Sequence, residues 1–122
     1  MPWYGVHVVM AVRFKDGNQN AFPAWENVFL VEAPNLAGAE KRGHKLGEEI
    51  AGDAGGTLQW NGRSARWEFA GVRKSVEITG KAPLKDEPGD GTEVSYSKLE
   101  FDGEQALRDY ARGLSTAPRK ID

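Results

Sequence analysis

The chain has no cysteine in its 122 residues and only two histidines, His7 and His44. The first absence removes disulfides, thiolate metal sites and cysteine nucleophiles together, and suits a reducing compartment. The second, with no His, Asp and Glu at ligand spacing, leaves no metal pattern. No apolar run approaches the roughly 18 residues a membrane span needs. The opening MPWYGVHVVMAVRF is apolar, but it has no basic n-region or small-residue cleavage site, and Arg13 interrupts it. It reads as a strand rather than a signal peptide, so a cytoplasmic protein without a membrane segment is expected. Charge of one sign is also missing: 16 basic residues against 18 acidic ones leave −2, which supplies no field for nucleic acid or an acidic membrane.

What is present is ordinary globular material, 39% hydrophobic and 28% charged, enough for one domain with its own core. That domain is expected over residues 1–114, with 115–122 a flexible tail. From Tyr4, alternate positions Tyr4, Val6, Val8, Met10, Val12 and Phe14 are all apolar, the period of a strand with one buried face. The other parity, Trp3, Gly5, His7, Val9, Ala11 and Arg13, is mixed. Lys15 to Ala24 reads as a polar connection closed by Pro23, and Trp25 to Ala33 as a second strand, apolar on both parities at its centre.

Pro34 stops that strand and Asn35 is placed to cap the one long amphipathic helix. Leu36, Ala39, Gly43, Leu46, Gly47 and Ile50 share a face by steps of three and four. Ala39, Gly43 and Gly47 would let that face lie close on a sheet, offsetting about 1 kcal/mol per mid-helix glycine. Asn61-Gly62 between strand-like runs predicts a two-residue type I′ hairpin pairing Trp60 with Arg63 and Leu58 with Ala65. Apolar parity then slips from Trp67 and Phe69 to Val72, Val76 and Ile78, predicting a bulge at Gly71. Lys81–Gly91 reads as a loop. Thr92–Phe101 reads as a last strand with a slip of its own, and a short helix capped by Asp102 follows, with Ala106, Leu107, Tyr110 and Ala111 as its apolar face. The order ββαβββα predicts an α+β fold: a mainly antiparallel sheet of about five strands, the long helix on one face, and a short C-terminal helix.

Chemistry-bearing patterns are few. His44 follows Glu40 by four on the exposed side of the helix, a surface pair. His7, mid-strand, is the better candidate, though a structural histidine outweighs a catalytic one. The glycines after Ile50 follow a helix instead of preceding one, the wrong order for a phosphate loop. Glu48-Glu49 is a solvated face, and no serine sits in a nucleophile elbow. No catalytic residue, metal or cofactor is assigned, and the balance falls against an enzyme. Trp60 and Trp67 lie near Arg63, Arg66, Arg73 and Lys74, and such a set could stack bases. Interleaved Glu68 and Glu77 favour core or interface packing instead.

Several short runs come in a telling order: Trp3-Tyr4-Gly5-Val6, Val31-Glu32-Ala33, Ala39-Glu40, Trp67-Glu68-Phe69 with Gly71-Val72, and Asp90-Gly91-Thr92-Glu93-Val94 with Tyr96-Ser97. Together they resemble a family of small bacterial domains known only as a domain of unknown function, over about Trp3 to Leu99. The Lys15–Ala24 connection, an extra residue around Ser95 and everything past Asp102 depart from its pattern. The resemblance implies a compact bacterial α+β domain and no activity, ligand or catalytic residue.

The expected function is therefore a non-catalytic interaction domain that forms a homodimer or binds a protein partner, through the second face or an edge of its sheet. Trp3, His7, Val9, Arg13, Trp60, Arg66, Trp67 and Glu68 are the candidate partner- or ligand-binding residues. One alternative is an enzyme or small-ligand binder with a helix–sheet pocket, in which His7, Arg66 and Glu68 would converge. A second is a binder of single-stranded nucleic acid, against which the negative charge weighs.

Overall fold

The computed structural model describes residues 1–78, 92–114 and 119–120, and the side chains of 92–97 and 119–120 fall outside that description. The elements run β1 (Trp3–Phe14), β2 (Phe22–Glu32), α1 (Leu36–Ile50), β3 (Gln59–Trp60), β4 (Arg63–Glu77), β5 (Thr92–Phe101), α2 (Glu104–Ala111) and β6 (Arg119–Lys120). They form one antiparallel sheet in the order β3-β4-β1-β2-β5-β6, with β1 near its centre. The fold is α+β, as expected. Two residues of the expected tail, Arg119 and Lys120, add a short strand opposite Glu100 and Leu99. The expected loop at Lys81–Gly91 lies outside the described residues.

The alternation in β1 decides both faces of the sheet. Tyr4, Val6, Val8 and Met10 point to one side and are buried with Phe29, Val31, Ala39 and Leu46 beneath α1. Close approach is what the helix glycines provide. A Cβ on Gly43 would come within 2.5 Å of Val6 Cγ1, and one on Gly47 would collide with the Phe69 ring. Asn35 caps α1 as expected, its Oδ1 accepting from the Gly38 N–H at 2.8 Å. The ends of the apolar stripe do not bury: Leu36 is 54% and Ile50 37% exposed, because each stands at a terminus of the helix.

The opposite face is covered in part by α2. Val9, Ala11, Phe22, Ala24, Leu99 and Phe101 form a second core with Leu107 and Ala111. A two-fold partner is therefore not required to cover this part of the sheet. The expected cap at Asp102 moves one residue on: Gly103 is the N-cap, without a side-chain cap bond.

The Asn61-Gly62 turn has the predicted geometry, with φ of 52° and 76° and Trp60 opposite Arg63. Ala65 N–H donates to Leu58 O at 3.0 Å. The slip at Gly71 is two slips. Against β1, register shifts fall between His7 and Val8 and between Val9 and Met10, leaving Arg73 and Ala70 as the extra residues of β4. The extra Ala70 puts Val72 on the α1 face with Phe69 and Trp67. The extra Arg73 then turns Val76 and Ile78 to the opposite face, away from the Val72 face on which their parity had placed them. A third shift, between Val28 and Phe29, leaves Val94 extra in β5. Strand β2 begins earlier than expected, at Phe22. Pro23 lies just beyond the last β1 pair, Ala11–Ala24, and pairs only with Glu100, so it does not interrupt the β1–β2 ladder.

Candidate functional site

Even-numbered residues of β2 face α2: Phe22, Ala24 and Leu30 are buried there, and so is Glu26. Among the described residues Glu26 is the only charged one counted as buried, at 5% exposure. Three donors from three other elements converge on it. His7 of β1 donates from Nδ1 to Oε2 at 2.6 Å. Arg73 of β4 donates to the same oxygen from Nε at 3.0 Å and from Nη2 at 2.7 Å. Tyr110 of α2 donates its phenolic O–H to Oε1. The Arg73 guanidinium also lies 4.8 Å from the Tyr110 ring centre, a cation–π contact. The bulge at Arg73 brings that side chain onto this face beside Glu26.

The electrostatics follow from this geometry. Burial pushes the Glu26 carboxyl up, but the bonds from His7, Arg73 and Tyr110 and the Arg73 charge hold it down at about 2. Burial and donation to Glu26 push the Tyr110 hydroxyl up to about 12. Desolvation of Arg73 is outweighed by its bond to Glu26, so its guanidinium stays charged. Glu26 is thus a fixed anion, Arg73 a fixed cation and Tyr110 a fixed donor. The Nδ1–H···Glu26 bond sets the His7 tautomer, with Nε2 as its second nitrogen. Carboxylate-oriented imidazoles serve as bases in hydrolases. Among the described residues, Glu26 is the only side chain hydrogen-bonded to His7.

A second polar cluster pins the other end of α2. Arg13 grips Glu68 through Nε at 3.1 Å and Nη2 at 2.9 Å, and reaches Glu104 at 2.7 Å. Arg108 holds the same Glu104 oxygen at 2.9 Å. The bond to Glu68 raises the Arg13 pKa despite burial, and the bonds from Arg13 and Arg108 lower that of Glu104. Glu104 in the first turn also complements the helix dipole.

The eight residues singled out from the sequence do not meet in one place. His7 joins Glu26. Arg13, Arg66 and Glu68 gather at the opposite end of the same face, with Arg66 3.6 Å from Glu68. His7 is six positions along β1 from Arg13, ~20 Å at the rise of a strand, so the trio His7, Arg66 and Glu68 does not converge. Val9 is wholly buried under α2 and offers no surface to a partner. Trp60 and Trp67 lie on the α1 side, each edge-on to Trp25 at 5.2 Å. Trp3 is half-buried at the start of β1. His44 is on the exposed side of α1, its ring edge-on to Phe69 at 5.2 Å. Two arginines of the base-stacking alternative are already engaged: Arg63 with Asp16 and Arg73 with Glu26.

One protein family, described as a domain of unknown function (DUF4288), matches residues 3–95. The chain belongs to DUF4288. No curated protein and no solved structure matches it. The DUF4288 region takes in Glu26, His7 and Arg73, whereas Tyr110 and the rest of α2 lie past its end. Among the described residues no three His, Asp or Glu side chains are grouped to hold a metal ion. No helix there is long and apolar enough to cross a membrane.

Glu26 is not singled out from the sequence, Arg73 is read there only with the base-stacking arginines, and Tyr110 only as part of the apolar face of the short helix. One signal was available: Glu26 interrupts the otherwise apolar parity Phe22, Ala24, Val28, Leu30. Its partners lie 19, 47 and 84 residues away, and only the folded topology brings them together.

Proposed function

We propose that this chain is a non-catalytic interaction domain that self-associates by pairing the free edge of β4 with the same edge of a second copy. The supporting observation is an unpaired stretch of backbone. Among the described residues, the outer edge of β4 is covered by β3 at Arg63 and Ser64 and by the bridge from Gly52 to Trp67, and by no strand beyond that. After the bulge at Arg73 the strand is regular again. Ile78 N–H donates inward to Trp3 O at 2.8 Å, so alternation turns the N–H and C=O groups of Ser75 and Glu77 outward. Exposed strand edges recruit further strands.

A two-fold axis at Val76 fits the local chemistry. Ser75 of one copy then stands opposite Glu77 of the other in hydrogen-bonded pairs, and the two Val76 side chains face each other. Val76 is 50% and Ile78 47% exposed, next to each other on the α2 side. On the other side each Ser75 stands beside the Glu77 of the second copy. The ladder is short beside the ~1,200–2,000 Å² of a stable interface, so the dimer is concentration-dependent.

The test is solution mass over a concentration series for the wild type and for Val76→Lys. The variant sets two like charges directly opposite each other, which disfavours the pair, at a position exposed enough to leave the fold intact. The wild type should dimerise and Val76→Lys should not. Leu36→Lys, at an equally exposed apolar residue on α1, should dimerise as the wild type does.

A further inference from the structure

A cleft of about 190 Å³ opens between the β1–β2 loop and the β3–β4 turn, on the α1 side of the sheet beyond the end of α1. We propose that it binds a neutral, hydroxyl-rich ring, a pyranose unit. The walls are built and fixed before any ligand arrives. Gln19 winds the loop around itself, donating to Val12 O at 2.7 Å and Ala21 O at 3.1 Å and accepting from Phe14 N–H at 3.0 Å. Arg63 ties the loop to β4, donating to both Asp16 oxygens at 2.7 and 2.9 Å and to Asn18 O at 2.7 Å. Its guanidinium lies 3.8 Å from the Phe14 ring centre, closing one side of the cleft. On the opposite wall Asn61 is held at φ 52° by the hairpin turn. A loop backbone that needs no ordering keeps the binding energy that its ordering would otherwise consume.

The lining then selects the ligand. The side-chain amides of Asn18, Asn20 and Asn61 border the cleft and make no hydrogen bond to any described residue. Each carries donors and an acceptor in one plane, which suits vicinal hydroxyls that also donate and accept. Trp60, half-buried and edge-on to Trp25, supplies the apolar surface that the C–H face of a sugar ring needs. Among the described side chains the one cation in the lining, Arg63, is spent on Asp16, and the other charged liner is Glu100. Phosphates and carboxylates find no free positive charge among those side chains, which favours a neutral ligand. The volume falls below the ~300–1,000 Å³ of drug-sized sites, so it admits one ring and not a chain.

The experiment is a titration of the full chain, followed by ¹⁵N–¹H correlation spectra, with methyl glucopyranoside, methyl galactopyranoside, N-acetylglucosamine and adenosine as separate probes. At least one sugar should give saturable shifts in the Trp60 indole N–H and the Asn20 and Asn61 side-chain amides. Trp60→Ala should weaken that binding roughly tenfold or more, about 1.4 kcal/mol. Because Trp60 also packs against Trp25, Asn20→Ala and Asn61→Gly serve as milder variants, glycine keeping the positive φ of the turn. Both should weaken binding with backbone shifts elsewhere unchanged. Val76→Lys should bind as the wild type does, so the outcome is independent of self-association. The proposal is overturned if no sugar gives saturable shifts at tens of millimolar, if adenosine alone binds, or if the three variants bind like the wild type.

Discussion

His7 Nδ1 stands 2.6 Å from a carboxylate oxygen of Glu26, across neighbouring strands and diagonal to it in register, since His7 is opposite Val28 and Glu26 opposite Val9. That oxygen also takes both bonds from Arg73, while Tyr110 takes the other. The carboxylate thus joins β1, β2, β4 and α2 at one point, on the face of the sheet that carries the second core. Its consequence is mechanical before it is chemical: it fixes where the C-terminal end of α2 rests.

Removing the carboxylate leaves Arg73 half-buried without its anion. Breaking a buried pair from one side costs about 3–5 kcal/mol, and Glu26→Ala should lose stability of that order in urea unfolding. Glu26→Gln keeps an acceptor for Tyr110 and should lose less.

The same group sets an acid limit. The folded carboxyl lies at about 2 against an ordinary value of 4.5. A depressed pKa contributes stability that is present above the unfolded value and is lost as pH falls through the folded one. The wild type should therefore shed about 3 kcal/mol between roughly pH 5 and pH 2. Urea midpoints measured across that window should show this loss, and Glu26→Gln should show a correspondingly smaller one.

Gly47 is a packing glycine. In an exposed helix interior, Gly→Ala gains about 1 kcal/mol. Here the new methyl would enter the Phe69 ring, and overpacking costs about 1–3 kcal/mol. Gly47→Ala should therefore be neutral or destabilising, with the near-ultraviolet aromatic signal altered. Gly38→Ala, whose Cβ would meet Pro34 Cδ at 3.3 Å, provides a gentler comparison on the same helix.

Leu107 is the largest buried side chain of α2, 1% exposed against the second core. Leu107→Ala should cost about 2–5 kcal/mol. In native-state hydrogen exchange, protection should fall first in α2, ahead of the β1–β2 ladder.

The architecture was largely legible because its signals are local. The β1 alternation, the Asn35 cap, the small-residue stripe of α1 and the Asn61-Gly62 turn each follow from a few adjacent residues, and each is where the pattern placed it. The second face was harder to read. Its cover, α2, is short, and nothing local shows which side of the sheet it will choose, so Val9 read as free surface when it is core. The polar cluster was hidden for a related reason. Arg73 reaches Glu26 through a bulge whose position depends on the register with β1, and Tyr110 comes from the far end of the chain. A bulge is expected at Gly71, but the second insertion, at Arg73, reverses the parity again, so Val76 and Ile78 leave the face that Val72 shares with Phe69.

The central claim, self-association through the β4 edge, is tested most directly by sedimentation equilibrium over a wide concentration range. The wild type should pass from the 13.4 kDa of one chain toward twice that mass as concentration rises, while Val76→Lys stays at one chain throughout. A wild type that remains a monomer at high concentration, or a Val76→Lys variant that dimerises equally well, would contradict it.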